Sequence, residues 1–274
     1  MALTVLTNLT ALKATNTLNK TQGQLSSTLG RISSGLRVNS ASDDAAGLGV
    51  ATTLNTEANS MEQAMRNAND GISIIQTAEG ATTEATNILN RMRELAVQSA
   101  SETLADTERG YINEEYDQLN QELGRIASVT EFNGVQLSDG TTTQINAQVG
   151  IDNATTSQIT IELGDLTSTT LGVNSLDLTT STNSLGAIDR IDTALDLVSS
   201  QRSTLGAVQN RLDSSLSNST SQLESMRAAE SQIMDADFAK ESTEMTKLQI
   251  MQQAGVASLA QAKNINQAVL SLLS

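Results

Sequence analysis

A seam of apolar residues near the C-terminal end is the feature that most constrains the fold of this chain. Between residues 188 and 233, apolar side chains recur alternately three and four positions apart, with four interruptions. The seam consists of Ile188, Ile191, Leu195, Val198, Leu205, Leu212, Leu216, Leu223, Met226 and Ile233. Such a narrow stripe has the a and d pattern of a coiled coil. At about 1.5 Å per residue this helix would extend roughly 70 Å, so we predict an elongated protein that assembles lengthwise.

The apolar spacing also predicts helices in the N-terminal half of the chain and in its last segment. The first helix is rich in Thr, Asn and Ser, which are weak helix formers, so it is marginal in isolation. A polar turn bracketed by Gly35 and Gly47 follows, and Ser42 or Asp43 is expected to cap the next helix. A break around residues 101–106 separates that helix from an antiparallel partner. We predict that the core of the terminal helices, including contacts between subunits, contains Leu18, Leu25, Leu29, Ile32, Leu36, Leu248, Leu259, Val269 and Leu272.

In the middle of the chain the period of the apolar residues changes to two. Apolar and polar residues alternate around residues 145–149 and 159–163, and the pairs Asn133-Gly134 and Asp139-Gly140 are turn signals. Residues 138–184 contain 18 Ser or Thr among 47, a composition typical of extended, solvated structure. The predicted fold class is therefore mainly α, a long helical coiled coil or bundle rod with a small β-hairpin region in the middle.

The net charge of −15 is concentrated away from the ends. Residues 1–42 and 245–274 contain no acid, whereas they carry the basic residues Lys13, Lys20, Arg31, Arg37, Lys247 and Lys263. An acidic middle disfavours nucleic acid as a partner and favours a solvated outer face. Two interpretations of the basic ends stay open: ordinary solvated helix faces, or one environment that both ends share.

Residues that would perform chemistry are scarce. The chain has no His and no Cys, which removes the usual acid–base and thiol groups. Adjacent acids such as Asp43-Asp44 point in different directions on a helix, and Asp139-Gly140 lacks the ligand spacing of a calcium loop. We therefore expect no catalytic residue, no cofactor, no metal and no enzymatic activity. The absence of a long apolar run predicts no membrane partner.

Several ordered motifs resemble the signatures of the bacterial flagellin family. Three lie in the N-terminal half and three near the C-terminal end, and the similarity covers roughly residues 1–137 and 186–274. These motifs are Arg31–Leu48, Arg91–Ala100, Glu131–Val135, Asp235–Glu241, Ile250–Gly255 and Val269–Leu273.

The resemblance implies a subunit that polymerises into the filament of the bacterial flagellum used for swimming. Such a subunit is secreted unfolded through the flagellar type III channel and is extracellular. Its implied partners are further copies of itself, the export machinery, an export chaperone, the hook-junction proteins and the tip cap.

The resemblance also implies a division of the chain into three parts. Residues 1–44 and 231–274 are expected to form an inner coiled-coil domain at the filament core. A helical rod domain is expected from residues 45–137 and 185–230. Residues 138–184 would be a short β-hairpin and loop insert of the rod domain, in place of the large outer domains that the family can carry there.

Members of the family can be recognised by the innate immune receptor TLR5, and the resemblance places candidate contact residues in this chain. Arg91, Leu95 and Glu115 stand where the principal contact residues of the family stand, whereas Asn90 replaces a glutamine often found there. An alternative role for the same residues is packing between subunits.

Two other functions compete with that of a filament subunit. A hook–filament junction protein shares the terminal helices but typically diverges near residues 31–47 and 91–100, where the motifs are intact here. A secreted enzyme on a flagellin scaffold would need a large central insert with catalytic residues, which residues 138–184 do not supply.

Overall fold

The computed structural model describes residues 8–271, and the side chains up to residue 264. As predicted, the fold is mainly α with two small β-hairpins. The helices are α1 (Leu9–Ser34), α2 (Ala45–Ala100), α3 (Asp106–Val129), α4 (Ser181–Met234) and α5 (Phe238–Ser271). The strands are β1 (Glu131–Phe132), β2 (Val135–Gln136), β3 (Gln144–Gln148) and β4 (Gln158–Glu162), with a 3-10 turn at Thr155–Ser157 between the last two.

Helices α2 and α4 run without interruption for 56 and 54 residues. The chain has no proline, the residue that most strongly breaks a helix, so nothing in the sequence forces a kink. The apolar seam predicted from the spacing lies on α4, where Ile191, Val198, Leu205 and Leu212 are fully buried. Ser219, which interrupts the seam in the sequence, is buried as well.

The chain divides into two compact units. The terminal unit contains the residues up to Thr56 together with those from Ser225 onward, and the central unit is Glu57–Glu224. The sequence-based division places its boundaries elsewhere, after residues 44 and 230, so the two units do not coincide with the predicted domains.

Two apolar clusters form the core of the central unit. In the first, α2, α3 and α4 bury large side chains against one another, including Leu89, Tyr116 and Val198. In the second, β3 and β4 pack on α2 and α4. Gly71 makes this approach possible, because a Cβ at that position would come within 3.3 Å of Leu212 Cδ1 and 3.4 Å of Ile161 Cδ1.

Both hairpins form where the sequence predicts them. Asn133 and Gly134 take φ values of 51° and 78°, as the two central residues of a type I′ turn do, and they join β1 to β2. Strands β3 and β4 pair antiparallel with Ile145 opposite Ile161. The alternation places Ala147, Val149, Ile159, Ile161 and Leu163 in the core.

The expectation of an extended, solvated insert is wrong for the segment that follows β4. Leu166, Leu171, Val173 and Leu178 are buried in the first cluster, and the hydroxyl of Tyr116 donates to the Val173 carbonyl at 3.0 Å. These apolar residues are isolated among Ser and Thr at irregular spacing. They therefore show no period in the sequence, although each fixes the loop onto the helices.

A buried arginine holds the corner between α2 and α3. Arg109 is only 5% exposed, and its guanidinium donates to the carbonyls of Ser99, at the end of α2, and of Leu104, the latter at 3.1 Å. The nearest acid, Asp106, lies 3.9 Å away and is solvated. The positive charge therefore compensates the unpaired carbonyls and the negative dipole end of α2.

We expect Arg109→Leu to lower the free energy of unfolding by roughly 2–3 kcal/mol, because buried carbonyls lose a charged donor. Urea unfolding followed by far-UV circular dichroism measures the change. Arg125→Leu is the control, since Arg125 pairs with Glu122 on the exposed face of α3 and a surface pair contributes at most about 1 kcal/mol. Equal effects of the two substitutions would contradict the assignment.

Candidate assembly surface

Helices α1 and α5 of the terminal unit pair antiparallel. The side-chain amide of Asn8 donates to the Ala262 carbonyl at 2.9 Å, and that of Gln252 donates to the Gln22 side-chain oxygen at 2.5 Å. Farther along, the Arg31 guanidinium lies 3.6 Å from the Glu241 carboxylate. Across these three contacts the residue numbers rise on the α1 side as they fall on the α5 side, which is the order of an antiparallel pair.

The seam between these two helices is thin. Its buried positions include Leu25 and Leu248 but also the polar Thr21 and Thr28. The helices approach closely at Gly255, where an added Cβ would come within 3.3 Å of Leu18 Cδ1. Little apolar area is therefore removed from water by the pairing itself.

The predicted core residues of the terminal helices fall into three groups. Leu25 and Leu248 are buried. Leu18, Ile32, Leu36 and Leu259 are half-buried, and Leu29 is exposed. Val269 and Leu272 lie outside the residues whose side chains the structure describes.

Large apolar side chains lie on the outside of the terminal unit. Among its described residues, the exposed ones are Leu9, Leu12, Leu29, Val50, Phe238, Ile250, Met251 and Val256, whereas the buried ones larger than alanine are Leu25, Val38 and Leu248. Leu12 and Ile250 are 58% and 61% exposed. Among its described residues, the unit thus exposes more large apolar side chains than it buries.

Most of these exposed residues are not among those that the apolar spacing predicts for the core of the terminal helices. The predicted stripe runs through Leu248 and Leu259, and Ile250, Met251 and Val256 lie off that stripe on the other faces of α5. Apolar residues outside a seam were the available signal, but a single sequence does not tell an association surface from scattered exposed residues.

The turn that follows α1 and the turn between α4 and α5 are hydrogen-bonded to each other beside the helix pair. Gly35 ends α1 in the left-handed conformation, with φ 73°, and its N–H donates to the Arg31 carbonyl at 2.8 Å. Its own carbonyl accepts from the N–H of Ala236 at 2.9 Å, and the Arg37 N–H donates to the Met234 carbonyl at 2.6 Å. We call this junction, residues 35–37 with 234–236, the crossover. It brings together two of the flagellin-like motifs that are far apart in the sequence.

A charged cleft of about 440 Å³ lies beside the crossover. Its lining residues are Arg31, Arg37, Val38, Asp43, Lys240, Glu241 and Glu244. Three cations and three anions balance, so the cleft has no net preference for an ion of either sign. Over the part of the chain that the structure describes, no three His, Cys, Asp or Glu side chains are grouped as a metal site would require.

The cap of α2 is Asp44, so the prediction of Ser42 or Asp43 is wrong. Asp44 Oδ1 accepts from the Gly47 N–H at 2.8 Å, as an N-cap side chain does. The Asp43 carboxylate instead accepts from the hydroxyl of Ser40 and from the backbone N–H groups of Asn39 and Ser40, and these hydrogen bonds lower its pKa. Adjacent acids compete for the cap, and only the loop conformation decides between them.

A second carboxylate of the terminal unit also has a lowered pKa. Glu230 accepts from the Asn55 side chain at 2.7 Å and from the Arg227 guanidinium at 3.0 Å, and these bonds lower its pKa. A carboxylate with a depressed pKa stabilises the fold above its ordinary pKa. That contribution is lost as the pH falls through the lowered value.

Of the three candidate receptor-contact residues, two are partly exposed and the third is buried. Arg91 and Glu115 join α2 to α3 across 2.7 Å, and both side chains are nearly half-exposed. Leu95 is 2% exposed and belongs to the first apolar cluster. Its prediction as a contact residue therefore does not fit this conformation, because its side chain faces the core rather than solvent.

No helix within residues 8–271 is long and apolar enough to cross a bilayer.

Comparisons with known proteins match almost the whole chain. Residues 5–143 match the bacterial flagellin N-terminal helical region, and residues 188–273 match the bacterial flagellin C-terminal helical region. The chain is 44% identical to a flagellin of Halalkalibacterium halodurans over 93% of both chains. It is 39% identical to a flagellin of Bacillus subtilis over 97% of this chain and 98% of that one. The crystal structure of Bacillus cereus flagellin is 35% identical, with a TM-score of 0.51, and covers 60% of this chain and 94% of that chain.

We expect Gly35→Ala to destabilise the crossover by roughly 1–2 kcal/mol, because an L side chain at φ 73° is strained even though nothing lies within 4 Å of the added Cβ. Hydrogen exchange of the Arg37 and Ala236 amides measures the local loss of protection. Gly35→Asn is the control, since asparagine tolerates the left-handed region and should cost less. Similar exchange in both variants would argue against backbone strain as the cause.

Proposed function

Because this chain belongs to the bacterial flagellin family and is a structural subunit of the flagellar filament, we propose that the exposed apolar residues of its terminal unit are the contacts through which copies join. The observation that carries this proposal is the imbalance between exposed and buried apolar side chains in that unit. In a homopolymeric filament, the partner that covers these residues is a second copy of the chain.

We propose the three-part division of the chain as part of the same arrangement. Residues 1–44 and 231–274 would form the inner domain, residues 45–137 and 185–230 the rod domain, and residues 138–184 the insert. The antiparallel pairing of α1 with α5 favours one inner domain made from both ends. The anchoring of Leu166 and Leu178 in the core favours an insert that belongs to the rod.

Folding of the terminal helices is coupled to assembly in this proposal. A seam that buries Leu25 and Leu248 beside Thr21 and Thr28 repays little of the entropy of ordering two long helices. Addition to a filament buries Leu12, Ile250 and their neighbours and provides the missing stabilisation. A heterologous contact of this kind repeats without closing, so it propagates as a helix.

The remaining partners follow from membership of the family. We infer export through the flagellar type III channel with an export chaperone, growth beneath a tip cap, attachment through the hook-junction proteins, and an extracellular location. A structural role without catalysis is favoured by a chain that lacks His and Cys. A junction protein is disfavoured, because the relatives that match over nine-tenths of both chains are flagellins.

We expect Leu12→Gln combined with Ile250→Gln to raise the critical concentration for polymerisation by at least about tenfold. Each change removes an apolar side chain whose burial stabilises by roughly 1.5–3 kcal/mol when complete. The free energy of unfolding of the monomer should change by less than about 0.5 kcal/mol, because both side chains are exposed there.

Seeded assembly of the full chain, followed by sedimentation and electron microscopy, measures the critical concentration. Ile250→Met is the matched control, since it keeps an apolar side chain of similar size and should assemble normally. If the double variant assembled with the critical concentration of the wild-type chain, the proposed contact surface would be wrong.

A second proposed role is recognition of the free subunit by TLR5. The exposed Arg91–Glu115 pair favours it, because a fixed, half-solvated charge pair between two helices offers a receptor both signs of charge in a defined geometry. Leu95 would act from beneath, by holding α2 against the core.

We expect Arg91→Ala combined with Glu115→Ala to reduce the potency of monomeric protein by about tenfold or more, the loss typical of a principal contact. A TLR5 reporter-cell assay measures potency. The control is Glu122→Ala with Arg125→Ala, another exposed pair with a 2.6 Å contact, which should leave potency unchanged. Equal potencies of both variants would exclude this site.

A further inference from the structure

Helices α1 to α4 each contain two glycines that nothing in the subunit explains. Among the residues that the structure describes, no atom from beyond the adjoining backbone lies within 4 Å of a Cβ added at any of these eight positions, and none of the eight has a positive φ. They are Gly23, Gly30, Gly49, Gly80, Gly110, Gly124, Gly186 and Gly206. Alanine fits each position without strain, so neither space nor backbone conformation requires glycine there.

Other helical glycines of the same chain have a packing reason. A Cβ at Gly71 would contact Leu212 and Ile161, and one at Gly255 would contact Leu18. These two positions let elements approach closely. The eight open glycines therefore form a separate class, defined by the empty space around them.

The cost of the open glycines is a loss of helix stability. Glycine in a helix interior shifts the folding equilibrium by roughly two- to fivefold relative to alanine, because the unfolded chain has more freedom to lose. Gly49, Gly110 and Gly186 lie within the first two turns of their helices. Helices fray from their ends, so weakness there lowers the barrier to local opening.

Side-chain hydrogen bonds weaken the same helices further. Thr52 donates to the Leu48 carbonyl at 2.7 Å, and Thr86 donates to the Thr82 carbonyl at 2.7 Å. Such bonds to the carbonyl four residues earlier compete with the backbone ladder and slightly destabilise a helix. Two independent features thus lower helix stability where packing does not demand it.

We propose that the open glycines are a conformational device that keeps α1 to α4 easy to unfold before assembly. The inference rests on the proposed function, because a subunit that passes through a narrow channel must lose its helices first.

The competing explanation is that a neighbouring copy approaches these glycines so closely that no Cβ fits. The two explanations differ in what alanine does. Easier unfolding predicts slower secretion with normal assembly, whereas close approach predicts failed assembly.

The test is a full-length variant with Gly80→Ala, Gly124→Ala, Gly186→Ala and Gly206→Ala. Its unfolding equilibrium constant in urea should fall by roughly fifteenfold to several hundredfold, the product of four helix-propensity changes. Its secretion rate from cells that lack their own filament subunit should fall at least about threefold. The critical concentration of the purified variant should stay within about twofold of wild type.

The matched control places serine at the same four positions. Serine is a weaker helix former than alanine but a larger residue, so it should stabilise less and slow secretion less. Loss of assembly in both variants would overturn the inference in favour of close approach, and secretion at the wild-type rate despite greater stability would also overturn it. The wild-type chain is measured in the same assays. If it were neither secreted nor polymerised, the proposed function itself would be refuted, separately from the inference about the glycines.

Discussion

The terminal unit depends on one constraint, which is that pairing α1 with α5 removes too little apolar surface from water to hold two long helices in order. The seam places threonines beside its leucines, and larger apolar side chains face outward. Ordering each residue costs about 1–2 kcal/mol of backbone entropy, so burial must come from another molecule. In the assembly that we propose, filament formation completes the folding of this unit, because a second copy covers the apolar side chains that a single chain leaves exposed.

The central unit follows the opposite principle. Three helices and two hairpins enclose two apolar clusters, and a loop rich in Ser and Thr adds isolated leucines to them. The buried guanidinium of Arg109 donates to carbonyls at the α2–α3 corner, where an apolar side chain would leave them without a hydrogen-bond donor. This unit completes its core from its own residues, so its outer face is free to carry the excess of negative charge.

Regular periodicity made much of this fold predictable, and tertiary contacts account for what was not. The ladder through Ile191 and Leu212 predicted α4 to within a few residues, and Asn133-Gly134 predicted the first hairpin, because both depend on neighbours in the sequence. The burial of Leu178 depends on helices distant in sequence, and so does that of Leu95. A positional match to a family does not tell which face of a helix looks inward. The choice of Asp44 as cap depended on a loop conformation that no local pattern specifies.

The absence of proline connects these properties. Two helix ends of the terminal unit are set without proline, the end of α1 by the left-handed Gly35 and the start of α2 by the carboxylate of Asp44. A proline would end a helix equally well, but about 10–30% of X–Pro bonds in an unfolded chain are cis, and these return to trans only in tens of seconds. In the assembly that we propose, a subunit that refolds at a growing end would wait for that step whenever its proline had become cis. Helix ends formed without proline avoid this slow step in the assembly that we propose.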